Sequence, residues 1–349
     1  MRLLIDVSAN LFGKIKIFIE NGKYHSISDF FSAAAENQFM LEKTSSEELN
    51  APAQVSDFAG KDKNSVIIDK NELPIPRKDR IKVVEIPPVE RLLYPGTKSE
   101  EELFLWGQIN RIFPLKVGLR VLANLLAETN TPYIKFEEFS TKASKFAQEF
   151  RATLEKNKHI TGKKDSFEIG LPQKTEKSVM RYKNQFLGYL RKDNIIEGGL
   201  GRLKFANLIL NENKDVLIGI TEPGLDFCIL ENPILDKNSY DNGSFSSPEK
   251  EFYLKHITSL VPYEVRAFID VLKLIKADVV KPDPQNKELK KIWPKDWSDA
   301  VINTQRNGLI SRLAELGLIE KIKDGVKVEY KMTDSGVNFI NKFFKEKGG

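Results

Sequence analysis

The chain has 349 residues, too many for one small core and enough for two or three domains. Apolar residues make up 41% and charged residues 30%, and no run approaches the 18 continuous apolar residues of a membrane span, so a soluble, mainly globular chain with no membrane partner is expected. The net charge of +5 is mild; the single cysteine, Cys228, excludes an internal disulfide, and the scattered His25, His159 and His256 argue against a zinc site and most nucleophile–base pairs. The opening MRLLIDVSAN lacks the basic start, apolar run and cleavage site of a secretion signal, which predicts a cytoplasmic location. Neither a Gly-rich phosphate loop nor a GxSxG elbow is present. The expectation is a protein that is not an enzyme, with no cofactor, no metal and no small-molecule substrate.

Residues 1–43 read as one compact unit. Leu3, Ile5 and Val7 alternate with Arg2, Leu4 and Asp6, a strand pattern. A helix over about 9–21 carries Leu11, Ile15, Phe18 and Ile19 on one side and stops at Asn21-Gly22. Ser26-Ile-Ser-Asp29 fits a capping box for a helix over about 27–43. One short strand and two helices cannot bury their apolar surface alone, and pairing two chains through a two-stranded ribbon solves this.

This order, with the phrase Gly-Lys-Tyr-His-Ser-Ile-Ser-Asp, resembles the ribbon-helix-helix family of Arc and MetJ repressors. The resemblance implies a homodimer whose ribbon enters the DNA major groove, with Arg2, Leu4 and Asp6 facing bases and Ser26 and Ser28 holding a phosphate. The sequence departs from that pattern. Leu4 offers no hydrogen bond, Asp6 repels phosphate, and the unit carries five Lys/Arg against five Asp/Glu. Dimerisation without base reading is the competing interpretation.

Residues 44–98 are rich in Ser, Asp, Lys and Pro and read as a flexible linker, with short strands at 66–68 and 81–86. A second domain is expected over 99–235 and a third over 236–349. Both end in a similar phrase, a strand followed by Thr-x-x-Gly-x-x-Phe: Thr221, Gly224 and Phe227, then Thr333, Gly336 and Phe339. This suggests a diverged internal duplication.

In the second domain, helices are predicted at 118–128, 136–156 and 175–192. The third puts Val179, Tyr182, Phe186, Leu187 and Leu190 on its apolar side and Lys177, Arg181, Asn184, Gln185, Gly188 and Lys192 on the other. Arg grips guanine, Asn or Gln grips adenine, Lys neutralises phosphate, and Gly permits close approach. Two strands, 202–210 and 216–221, flank the turn at 211–215 and form a wing with Arg202 and Lys204 near its base. From Lys142 to Lys204 there are 15 Lys/Arg against 7 Asp/Glu, so the positive charge of the chain concentrates here. An ordinary solvated helix face is the competing interpretation.

The third domain opens with an amphipathic helix at 261–277. A second candidate recognition helix spans 297–316, with Ile302, Leu309, Leu313 and Leu316 inward and Asn303, Thr304, Asn307, Gly308, Ser311 and Glu315 outward. Gly317-Leu-Ile follows, then a hairpin turning at Asp324-Gly325. The helix–GLI–hairpin order resembles the MarR-like winged helix. That resemblance implies DNA contacts from Arg306, Arg312 and the wing residues Lys321, Lys323 and Lys327. Trp106, Trp293 and Trp297 read as packing residues.

The fold class expected is therefore mainly α with small β elements (α+β), a ribbon-helix-helix unit followed by two winged helices. The expected function is a homodimeric, nucleoid-associated binder of double-stranded DNA, either a transcriptional regulator or a plasmid replication or partition factor. The alternative is a tandem winged-helix assembly subunit in which residues 1–43 only dimerise.

Overall fold

The computed structural model describes residues 88–89, 104–161, 166–191, 196–240, 243–325 and 327–345. The expected ribbon-helix-helix at 1–43 and most of 44–98 lie outside them. The described residues all belong to one compact unit. Helix predominates and the strands form three small antiparallel sheets, an α+β arrangement.

The first half runs α1 (Phe113–Thr129), β1 (Ile134–Lys135), α2 (Phe136–Thr161), α3 (Glu176–Tyr182) and one turn of π-helix (Lys183–Leu187). Next come β2 (Tyr189–Leu190), β3 (Ile196–Glu197), α4 (Gly199–Arg202), β4 (Ala206–Leu210), β5 (Val216–Ile220), α5 (Glu222–Ile229) and α6 (Pro233–Lys237). β5 is central in a three-stranded sheet, with Ile218 opposite both Ile134 and Leu208. Asn211 closes the β4–β5 turn by accepting from the Asp215 amide at 2.8 Å.

The second half comprises α7 (Ser247–Leu260), α8 (Pro262–Lys276), α9 (Pro282–Ile292), α10 (Asp299–Glu315), β6 (Ile319–Asp324), β7 (Lys327–Met332) and α11 (Asp334–Lys345). Local chemistry sets the boundaries. Ser246 and Glu249 make a capping box at α7, and Ser298 accepts from the Val301 amide at 3.3 Å to start α10. α9 lies in the Pro- and Lys-rich stretch between the two helices that the sequence predicts in this half.

Three expectations need correction. The helix expected over 175–192 ends at Tyr182, widens into the π-turn and stops at Gly188, whose φ is 125°. A Cβ at Gly188 would stand 2.8 Å from the Glu197 carbonyl, so this glycine serves a tight chain crossing and not a groove. The strand expected from Arg202 begins at Ala206. Arg202 ends α4, and Lys204 takes a left-handed turn at φ 59°. Finally, Val89, inside the stretch read as linker, is buried and donates to the Ile220 carbonyl at 2.8 Å.

One buried apolar core runs from Phe104 to Ile340, across the expected boundary at 235/236. Buried charges tie the halves together. Lys116 on α1 pairs with Glu249 on α7 at 3.0 Å, both side chains fully buried. Arg312 on α10 forks onto Glu264 on α8, at 2.6 and 3.0 Å, and also donates to the Ile109 carbonyl. Glu315 accepts from the amides of Ile112 and Phe113 at 2.6 and 3.2 Å. It thereby caps α1, whose own N-cap residue, Ile112, has no side-chain acceptor to offer. Burial pushes the carboxyls of Glu264 and Glu315 above the usual range, against the pull of these donors.

The repeated Thr-x-x-Gly-x-x-Phe phrase is a repeat of geometry. Thr221 accepts from the Gly224 amide at 3.2 Å and donates to the Lys204 carbonyl at 2.7 Å. Thr333 accepts from the Gly336 amide at 3.1 Å and donates to the Gly317 carbonyl at 2.7 Å. The Thr221 and Thr333 amides donate to the carbonyls of Phe205 and Leu318, each at 3.1 Å. Lys204 and Gly317 share a left-handed conformation, and a Cβ on Gly224 or Gly336 would strike the carbonyl of Phe205 or Leu318. Bond for bond, helix end, hairpin and following helix recur, which supports a duplication.

Candidate nucleic-acid interface

In the first half, Thr175 starts α3 by accepting from the Ser178 amide at 3.4 Å. Tyr182, Phe186 and Leu187 anchor it in the core. Two bonds fix α3 beside α2. Lys183 Nζ donates to Thr141 Oγ1 at 3.2 Å, and Gln148 Nε2 donates to the Gln173 carbonyl at 2.9 Å. Lys145 lies between Thr141 and Gln148 on the same face of α2. Exposed Lys145, Lys174, Lys177 and Arg181 therefore gather along this junction, and none has an ion-pair partner among the described residues. Lys142 nearby is held by Glu138 at 2.8 Å. Asn184 is exposed and Gln185 half-buried.

The wing expected in this half is not basic. Its tip carries Glu212, Lys214 and Asp215, and Asp215 pairs with Lys135 at 3.1 Å. Arg202 is buried, held by Glu197 and by the Phe104 carbonyl at 3.1 Å, and does not reach solvent as a phosphate contact. Lys204 sits in the left-handed turn below the hairpin. Lys192, like Arg2, Leu4, Asp6, Ser26 and Ser28, lies outside the described residues.

In the second half, α10 is covered around most of its circumference. The segment 104–112 lies against it so closely that a Cβ on Gly308 would meet Gly107 Cα at 2.7 Å. Gly308 and Glu315, expected to face outward, are buried there. Arg306 is buried too. It donates to Asn286 Oδ1 at 2.7 Å, Tyr330 Oη at 3.0 Å, Asn303 Oδ1 at 3.0 Å and Asn307 Oδ1 at 2.8 Å. Asn303 and Asn307 are exposed, but their carbonyl oxygens serve Arg306. Thr304 is half-buried, and Ser311 accepts from Lys321 Nζ at 3.1 Å.

The β6–β7 hairpin is anchored through buried Tyr330, whose amide donates to the Val280 carbonyl, and it exposes Lys321, Lys323, Lys327 and Lys331 alongside Glu320 and Asp324. Partial burial, with Arg111, Lys323 and Arg306 nearby, pushes the Lys321 ammonium down to about 8.

Two features have no local signature in the sequence. Lys145 and Lys174 join the cationic face through packing between α2 and α3, which no local pattern displays. Trp106, Gln108, Gln185, Trp297, Val301 and Gln305 converge on a groove of about 330 Å³. These residues come from three distant stretches of chain.

No protein-family model matches this chain, and neither a curated protein nor a solved structure does. Among the described residues, no group of His, Cys, Asp and Glu could hold a metal ion, and no helix is long and apolar enough to cross a membrane.

Proposed function

We propose that the chain is a homodimeric DNA-binding protein, held to duplex mainly through phosphates, acting as a transcriptional regulator or a plasmid replication or partition factor. The observation that carries this reading is the α2–α3 face, where Lys145, Lys174, Lys177 and Arg181 stand exposed without carboxylate partners. Cations left unpaired on one face suit a polyanion. The element order adds support. Helix, short strand, two helices and a hairpin returning to that strand resemble a winged helix, and the Thr-x-x-Gly-x-x-Phe geometry argues for a second copy. The β6–β7 hairpin, with four Lys against three Asp/Glu, would be the wing of that copy. Dimerisation is assigned to residues 1–43 on their sequence pattern alone.

Salt dependence tests the reading. A duplex held by several phosphate contacts loses affinity steeply with salt, with a log–log slope of about −0.9 per contact. We expect random duplex to bind at about 50 mM salt, with a slope of about −4 from these four cations. No binding at that salt would remove DNA as the partner.

One observation favours a second reading for the C-terminal half. The polar letters of α10 are consumed internally by Arg306, Arg312 and Glu315. A half built this way fits a protein-interaction module better than a base reader, as in an assembly subunit.

A further inference from the structure

The groove of about 330 Å³ between the two halves has a chemistry unlike the cationic face. No charged side chain lines it. Its wall residues are Trp106, Trp297 and Val301, with the carboxamides of Gln108, Gln185 and Gln305. None of the three carboxamides has a hydrogen-bond partner among the described residues, and their amide atoms remain open to solvent. The indole N–H of Trp297, buried at the groove border, also lacks an acceptor. Polar groups under cover are normally paired, so the unpaired Trp297 N–H, beside carboxamides that meet only water, leaves this cleft open to a ligand.

The walls are rigid. Trp297 packs edge-on against Phe104 and Trp293, with ring centres 5.2 and 5.7 Å apart. Trp106 is held by Tyr189, at 6.4 Å between centres, and by the Arg202 guanidinium, 5.4 Å from its ring. Trp106, half-buried, offers part of a flat indole face, whereas Trp297 is 3% exposed and serves as wall; a carboxamide offers adjacent donor and acceptor atoms. Together they match a flat heterocycle whose edge carries both, and a carboxamide pairs bidentately with adenine. Gln185 lies in the π-turn that continues α3, with Arg181 about one turn earlier and Lys177 about two, where a phosphate attached to such a ring would find cations.

We propose that this groove is a nucleobase-binding site, selective for adenine. The base is either that of a free nucleotide or one unpaired in a nucleic-acid strand. Only the second source rests on the DNA-binding reading.

The chain's tryptophans are Trp106, Trp293 and Trp297, so intrinsic fluorescence reports directly on the groove. Titration of the full chain with adenosine monophosphate, then with single-stranded oligo(dA), then with a fully paired duplex, separates the sources. We expect saturable quenching by the first or second. We expect it weakened at least tenfold in a Gln185→Leu, Gln305→Leu double variant, and weaker for cytidine monophosphate. Ribose 5-phosphate should not compete. Gln108 is exposed, so Gln108→Leu tests the same chemistry without burdening the core. Quenching by nucleotide alone makes the groove a small-ligand site, and quenching by strand alone makes it a site for an unpaired base. The proposal is overturned if neither quenches, if these variants leave the affinity unchanged, or if ribose phosphate competes equally. Duplex binding that survives such a result leaves the DNA-binding reading standing, and base binding without duplex binding does the reverse.

Discussion

The two candidate recognition helices make opposite use of similar letters. α10 is long, regular and well capped, yet its polar residues are spent inside the protein. α3 is a short helix that runs into a π-turn, yet the two together keep Lys177, Arg181 and Asn184 in solvent. The difference lies in the neighbours. The segment 104–112 crosses α10 and brings its backbone against Gly308, while its carbonyls and amides occupy Arg312 and Glu315. Nothing comparable among the described residues covers the outer side of α3. A polar helical face in a sequence shows where hydrogen-bonding groups point; the rest of the chain decides whether water or protein meets them.

The largest test of this contrast is Arg312→Met. It leaves Glu264 buried without its forked partner, a loss expected to cost about 3–5 kcal/mol. Arg181→Met, at an equivalent-looking helical position, should stay within about 0.5 kcal/mol of the parent. Denaturant unfolding of both variants measures the gap, and equal stabilities would erase the distinction between a spent and a free arginine.

Binding should respond the other way round. Lys177→Glu with Arg181→Glu removes two cations and adds two anions to the α2–α3 face. Duplex affinity should fall about 100-fold, which corresponds to about 2.7 kcal/mol, with the unfolding midpoint unchanged. An unaltered affinity would move the DNA contact to the β6–β7 hairpin or to residues outside those described here.

Much of this fold was legible because local chemistry and tertiary structure agreed. The α8 and α10 helices, the GLI turn and the β6–β7 hairpin stand where periodicity, Gly317 and the Asp324-Gly325 turn put them. The first half was harder. Apolar spacing continued the 3.6-residue period through Leu190, but Gly188 and Gly198 meet where two chain segments cross, and that ended the helix. The sites were least legible. Arg202, Arg306 and Arg312 carry the same letter as Arg181, and only long-range partners such as Phe104, Tyr330 and Ile109 reveal that they are structural. The Gln–Trp groove joins residues as far apart as Trp106 and Gln305, so no window along the chain could contain it.

Gly308→Ala probes the crossing itself. Alanine favours an exposed helix by about 1 kcal/mol over glycine. At Gly308 the added methyl meets the Gly107 backbone, which cannot swing aside as a flexible side chain would. A net loss of about 1–3 kcal/mol is expected, with the 104–112 segment showing faster amide exchange. A gain in stability would mean that α10 is not pressed against that segment in solution.

The smallest effect concerns the cap that Glu315 places on α1. Burial raises this carboxyl above its ordinary 4.5, although two amides and the Ser244 hydroxyl donate to it. With a folded value above the unfolded one, the folded chain holds the extra proton in the window between them. Its contribution is therefore complete below 4.5 and is lost as pH rises through the folded value. Glu264 is raised in the same direction, so the two contributions overlap and a single variant should flatten the slope only in part. Glu315→Gln removes one titration while turning a carboxamide NH2, a donor, toward one of the two backbone amides, at a fixed cost of about 1 kcal/mol. Unfolding measured between about pH 4 and 8 should show a variant that is less stable at low pH and draws closer to the parent as pH rises. A constant offset across that range would mean that Glu315 keeps an ordinary carboxylate value, and that the amides of Ile112 and Phe113 offset its burial in full.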